Sequence, residues 1–92
     1  MPPGTFAWIM EDEGPTAVRP SDHGEWARLT LEVQSSLFAV GLTGVFAMAL
    51  AHQGISANVI AGALHDHIFV PWGRRQEALA ALVALSAEGA AA

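Results

Sequence analysis

Cysteine is absent from this 92-residue sequence. Disulfide staples and thiolate zinc sites are thereby excluded, and the redox compartment leaves no trace. Basic residues are scarce too. Four Lys+Arg stand against nine Asp+Glu, for a formal charge of −5. The one adjacent pair, Arg74-Arg75, is too little positive charge to track a phosphate backbone, so no nucleic-acid partner is expected. Charged residues make up only 14%, and neither repeats nor charge runs occur. An apolar run long enough to cross a membrane is also missing. The best candidate, "LFAVGLTGVFAMALA" from Leu37 to Ala51, is shorter than the roughly 18–20 residues a bilayer demands. Gly41, Thr43 and Gly44 interrupt it, and it reads as a buried helix with no membrane role. The opening "MPPGTFAW" lacks the basic and apolar regions of a secretory signal, and the expected setting is cytoplasmic. There is no Gly-rich phosphate loop and no nucleophile elbow. Ser35 and Ser36 with a His and an Asp are a combination found somewhere in most domains, so neither catalysis nor a cofactor is expected.

What is present is apolar: 52% of the chain. A single domain this short cannot hide that much surface, and a homodimer is expected. The domain is read as residues 1–88, with an Ala-rich frayed tail at 89–92. Within 5–19, Phe6, Trp8 and Met10 alternate with Ala7 and Ile9. A turn at Glu11-Asp12-Glu13-Gly14 follows, and Thr16-Ala17-Val18 resumes the extended pattern: a hairpin. Pro15 and Pro20 confine its second strand to an edge or a short length.

The core of the domain is read as 26–86. In "ARLTLEV" (Ala27–Val33), Leu29, Leu31 and Val33 face one way and Arg28, Thr30 and Glu32 the other, Glu32 and Arg28 being most simply a solvated face. A helix over 40–53 follows, with Leu42, Val45, Phe46, Ala49 and Leu50 as its core stripe. Gly54 suits the left-handed residue just past its end, with Ile55 as the apolar contact that often accompanies it. "ANVIAGA" and "HDHIFVP" read as two strands joined by a tight turn near Leu64-His65, ended by Pro71-Trp72-Gly73. A second helix spans 74–86, with Ala78, Leu79, Leu82 and Leu85 on one side. The order hairpin, then βαββα, predicts an α+β fold. It is a ferredoxin-like βαββαβ sandwich with two helices on one face, circularly permuted so that the N-terminal hairpin completes the antiparallel sheet.

The segment Leu29–Leu85 resembles the ACT domain family, the small ligand-binding modules that regulate amino-acid metabolism. "LTLEVQSSLFAVGLTGVFAMALAHQGIS" is similar to its strand–loop–Gly–helix, with Gly41-Leu42 opening the helix. "GISANVIAG" is similar to its "G-[IV]-N-I" second strand, and "HDHIFVP" with "EALAAL" to its Asp-led third strand and second helix. "EGPTAVRP" resembles the variant group with an "EG-T-V-P" strand ahead of the core. That group includes bacterial tandem ACT proteins and the arginine sensors of the TOR pathway. Many of its members carry two such halves, where this chain has room for one. "PWGRRQEAL" stands where relatives tend to have "PVERAEEAL", which puts the contacts of that turn in question.

The stretch "HDH" is the chemical focus. In a βαββαβ sheet the third strand lies antiparallel between the first two, so its start lies beside the end of the first. Asp66 is then next to the loop Gln34–Val40 and the N–H groups near Ser36 to Gly41. A carboxylate beside a helix N-terminus matches the two poles of an α-amino acid. The resemblance implies a site at Ser36, Val40, Gly41, Leu42 and Asp66, with Asn58 supplied across a dimer interface formed by the first helix and second strand. Two of these residues have a plainer reading: Asp66 as a cap of its own turn, Asn58 as the cap after Gly54. His65 and His67 are candidates for a metal, but His-x-His supplies two ligands and His23 and His52 are remote. His67 is expected on the sheet face away from the helices and His65 in the turn. The Trp residues, Phe46 and Met48 are expected in the core or a dimer contact.

Overall fold

In the computed structural model, residues 1–31 and 42–91 are described. Strands β1 (Ala7–Glu11) and β2 (Gly14–Val18) form the expected hairpin around Asp12-Glu13. Then come β3 (Trp26–Leu31), α1 (Leu42–His52), β4 (Asn58–Ala61), β5 (Asp66–Pro71), a 3-10 turn at Trp72–Arg74, and α2 (Arg75–Ala91). The fold is α+β, ferredoxin-like, with two antiparallel sheets. One is β1-β2; the other has the order β3-β5-β4.

Strand alternation sorts the larger sheet into two faces. Ala27 pairs with Val70, Leu29 and Val59 with Ile68, and Leu31 and Ala61 with Asp66. Ala27, Ile68 and Val70 meet Phe46 and Leu50 of α1 and Ala78 and Leu82 of α2, with Leu29, Leu31 and Val59 packed around them. This is the core. The opposite face carries Trp26, Arg28, Thr30, Asn58, Ile60, His67 and Phe69. Both helices lie on the first face.

Helix α1 stops as its sequence dictates. Gly54 adopts φ +70°, which a Cβ would disfavour. The Gly54 N–H donates to the Ala51 carbonyl at 2.9 Å and the Ile55 N–H to Leu50 at 3.0 Å. This is a Schellman stop, and it drives Ile55 into the core against Leu50. The helix stripes are narrower than expected. Phe46 with Leu50, and Ala78 with Leu82, are one turn apart and buried, whereas Val45 (52% exposed) and Leu79 (51%) lie outside the core. Glu32 and Val33 lie outside the described residues, as does the start of the expected first helix at 40–41.

The hairpin departs from expectation. It does not complete the sheet: among the described residues β1 and β2 pair only with each other, and β3 is an edge strand. The hairpin docks instead through side chains. The Phe6 ring stands edge-on to His67 (centroids 4.8 Å) and Phe69 (6.0 Å), and the Arg28 guanidinium lies 4.1 Å above it. A two-stranded ribbon is marginal alone in water, and Phe6 is the tether that holds this one to the open face. No helix among the described residues is long and apolar enough to cross a membrane.

Leu50, fully buried beneath the Schellman stop, tests the packing. Leu50→Ala is expected to cost about 2–5 kcal/mol. Gly54→Ala is expected to cost about 1 kcal/mol or more, through the left-handed backbone alone. Urea titrations of the two variants measure both.

Candidate functional site

Asp66 opens β5, flanked by Leu31, the last residue of β3, and Ala61, the last of β4. It lies on the helix face and is 5% exposed, the only buried polar residue among those described. It has interaction partners within the chain, and no buried side-chain N or O among the described residues lacks a hydrogen bond. The position is enforced locally. The turn after β4 closes with the Gly62 N–H donating to the His65 carbonyl at 2.9 Å. A Cβ on Gly62 would sit 2.9 Å from that oxygen, so only glycine fits this turn. The turn sets the β4–β5 register, and the register puts Asp66 inward.

Ser36, Val40 and Gly41 lie outside the described residues. Leu42 is the first residue of α1, and the first turn of that helix carries no acidic side chain. Asn58 pairs with Phe69, three positions along β5 from Asp66, and on the opposite face. Within one chain the two do not share a site. His67 is on the open face, as expected, and His65 is in the turn. Their ring centroids are 6.4 Å apart. His67 Nδ1 is 3.1 Å from the Thr30 hydroxyl, and Phe6 packs on the ring. Among the described residues no three of His, Cys, Asp and Glu converge as a metal site would need.

Burial holds the His67 imidazole below its ordinary value; Arg28 and His65 add to the depression and Asp66 opposes it. The turn "WGRR" also has a defined role. Arg74 forms a two-point contact with Glu77 (2.9 Å each) and donates to the Gln53 carbonyl at 3.0 Å. It thus places a cation on the C-terminal end of α1 and links both helices. Arg75 stacks 4.0 Å above Trp72 and donates to its carbonyl at 2.7 Å.

Sequence reasoning missed one feature. A cavity of about 1080 Å³ lies between β2 and β3, extends over the open face to Phe69 of β5 and to Asn58 and Ile60 of β4, and reaches Trp72, Arg75 and Leu79. The sequence points to Arg28 as a solvated strand residue and to the tryptophans as core or dimer contacts; Trp26 and Trp72 are not core but stand at this cavity, each about half exposed. The one signal available was the isolation of so few arginines beside aromatic residues.

A two-helix, three-stranded sandwich with a buried carboxylate opening its central strand, beside the chain that leads to a helix N-terminus, has the architecture of the small ligand-binding regulatory modules. A family model described as an ACT domain matches residues 23–84, and the chain belongs to the ACT domain family. ACT domains are small-ligand-binding and regulatory rather than catalytic. Among solved structures, the chain is similar to VC0802 of Vibrio cholerae, described as a protein of unknown function and possible transport protein. The identity is 47% and the TM-score 0.79, over 85% of this chain and 66% of that one. This chain therefore spans just under two thirds of that relative. No curated protein matches.

His67 gives a pH prediction. Above 6.5 the imidazole is neutral in folded and unfolded chains alike, and its contribution to stability is full. Below 6.5 the unfolded chain takes up a proton that the folded chain resists. Stability therefore falls with pH until the lowered folded-state value is passed, and then levels off. The melting temperature of His67→Gln is expected to drop less than that of the parent on acidification through 6.5, measured by circular dichroism in matched buffers.

Proposed function

We propose that this chain is a non-enzymatic regulatory module that binds a small amino acid at a homodimer interface. The observation that carries the reading is Asp66: a buried carboxylate at the first residue of β5, beside the strand end that runs on toward α1. Its charge suits an ammonium group. The N–H groups at the start of α1, which no acidic side chain of the first turn occupies, suit the ligand's carboxylate. A carboxylate with interaction partners of its own still has lone-pair capacity for a further donor. In this reading Ser36, Val40, Gly41 and Leu42 form the wall that receives the ligand backbone. Asn58, on the face away from Asp66, closes the site only from a second chain. β4 is an edge strand, and α1 leaves Val45 and Met48 more than half exposed, so α1 and β4 together offer the pairing surface. A cytoplasmic setting, where free amino acids are metabolic signals, goes with this role.

The same exposed Val45 and Met48 favour a second reading, a module that pairs or docks without any ligand. A thermal-shift series against the twenty amino acids separates the two, because a ligand bound by the native state raises the melting temperature by mass action. One small amino acid is expected to raise it. Asp66→Asn is then expected to weaken binding roughly tenfold or more in calorimetry, the loss of a charge-assisted hydrogen bond of about 1.5–3 kcal/mol. His65→Ala and His67→Ala are expected to leave affinity nearly unchanged. A dimer that no amino acid stabilises would favour the ligand-free reading, and loss of binding in the His variants alone would favour a metal.

Light scattering tests the pairing independently. A dimer is expected at micromolar concentration, shifting toward monomer in Val45→Glu/Met48→Glu, since two buried carboxylates at an apolar interface find no partner. A chain that is monomeric at high concentration would remove the cross-chain role of Asn58.

A further inference from the structure

The cavity beside β3 has the form of a missing strand. In a βαββαβ sheet the fourth strand lies next to the first. Here that position, along the free edge of β3, is unfilled by the hairpin. The cavity takes a run of consecutive residues from each flank: 16–21, which includes Thr16, Ala17 and Val18 of β2, on one side, and 24–29, which includes Trp26, Ala27, Arg28 and Leu29 of β3, on the other. Consecutive residues point to alternate faces of a strand, so what they line in common is an edge. The phase of the ladder agrees. The Trp72 N–H donates to the Glu25 carbonyl at 2.8 Å. With the β3–β5 register, this directs the backbone groups of Ala27 and Leu29 toward β5 and those of Trp26, Arg28 and Thr30 away from it. Among the described residues, no strand pairs with these outward groups.

Charge selects the occupant. The chain carries −5 overall and only four basic residues. Three of them, Arg19, Arg28 and Arg75, line this one cavity, with Glu25 as the sole acidic residue there. Arg28 is held over Phe6 by its ring contact and, among the described residues, has no carboxylate partner. Trp26, Phe69, Trp72, Ile60 and Leu79 supply apolar wall.

We infer that the β3 edge accepts an extended peptide segment of another protein, one that alternates acidic and apolar residues. The segment adds as a strand between β3 and β2. Its N–H and C=O groups pair with those of Trp26, Arg28 and Thr30, its carboxylates meet Arg28 on the open face, and its apolar side chains, on the helix side, meet Leu79 of α2. The cavity opens on the sheet edge and on the face away from Asp66, and Asn58 is the one residue it shares with the proposed amino-acid site.

The test uses the full chain and the probe acetyl-(Glu-Val)4-amide, followed by calorimetry and amide chemical shifts. Saturable binding is expected, weakening as salt is raised, with shift changes centred on 16–19 and 26–29. The acetyl-(Lys-Val)4-amide control is expected not to bind. Arg28→Gln is expected to weaken binding about tenfold, with its melting temperature read alongside so that lost folding is distinguished from lost binding. A Glu-Val peptide N-methylated at alternate residues, unable to pair along one edge, is expected to lose binding in the parent chain whatever the variant does. Undiminished binding of the N-methylated peptide would overturn the strand addition. Displacement of the peptide by 3-phenylpropionate at equal or lower concentration would make the cavity a site for small organic anions instead. A chain that self-associates through 26–29, blocking the peptide, would make the occupant a second copy.

Discussion

Every feature of this molecule depends on the register of β5. The strand is paired along both edges, with β3 on one side and β4 on the other. Ile68 and Val70 are fully buried on one face; His67 and Phe69 receive the hairpin on the other. Burying each large aliphatic side chain contributes about 1.5–3 kcal/mol, so the inward set Asp66, Ile68, Val70 is fixed by the two apolar members. Asp66 is carried along with them. A slip of one residue would bury His67 and Phe69 and turn the carboxylate outward. Asp66 is therefore not positioned by its own chemistry. It is positioned by two aliphatic residues downstream and by the turn that only Gly62 can make.

Such a small sheet leaves two edges open, and they differ. β4 ends the sheet on the side where the family resemblance places a dimer partner. β3 ends it on the side where the sandwich topology leaves room for another strand. Exposed edges are templates for pairing. The β4 edge is accompanied by the uncharged, exposed residues Val45 and Met48 of α1, a surface suited to an identical copy. The β3 edge is accompanied by arginines and aromatic rings, a surface that a chain with a −5 charge does not repeat elsewhere. The two edges thus differ in their surroundings, apolar beside β4 and cationic and aromatic beside β3.

Much of this was legible in the sequence, and the reasons are local. Alternation in "ARLTL" and "HDHIFV" reads out strand faces directly, and Gly54-Ile55 encodes a helix stop whose hydrogen bonds span only five residues. The inward Asp66 follows from its place in that alternation. What was not legible is nonlocal. Val45 and Leu79 have helical spacing suited to a core stripe, but which flank of a stripe is covered depends on how far the neighbouring element extends, and α1 and α2 bury only one narrow ridge each. The hairpin's docking is of the same kind. Its strands are plain in "TFAWIMEDEGPTAV", but whether an edge strand joins a sheet by hydrogen bonds or leans on it by side chains is decided by Phe6, His67 and Arg28, which lie far apart in the chain.

The Phe6 contact also links the two faces. Arg28 over Phe6 and Phe6 against His67 form a stack that spans from the free edge of β3 to the middle of β5. His67 is the neighbour in sequence of Asp66, and their side chains emerge on opposite faces of one strand. Anything that lifts the hairpin, or draws the Arg28 guanidinium away toward a carboxylate, removes the cover from His67 and a nearby positive charge at once. Both changes favour the protonated imidazole, since burial and Arg28 are the two largest causes of its depression. A charge gained at His67 is felt at Asp66 across a single peptide unit. The cationic edge and the buried carboxylate thus lie on neighbouring residues of one strand, His67 on the open face and Asp66 on the helix face.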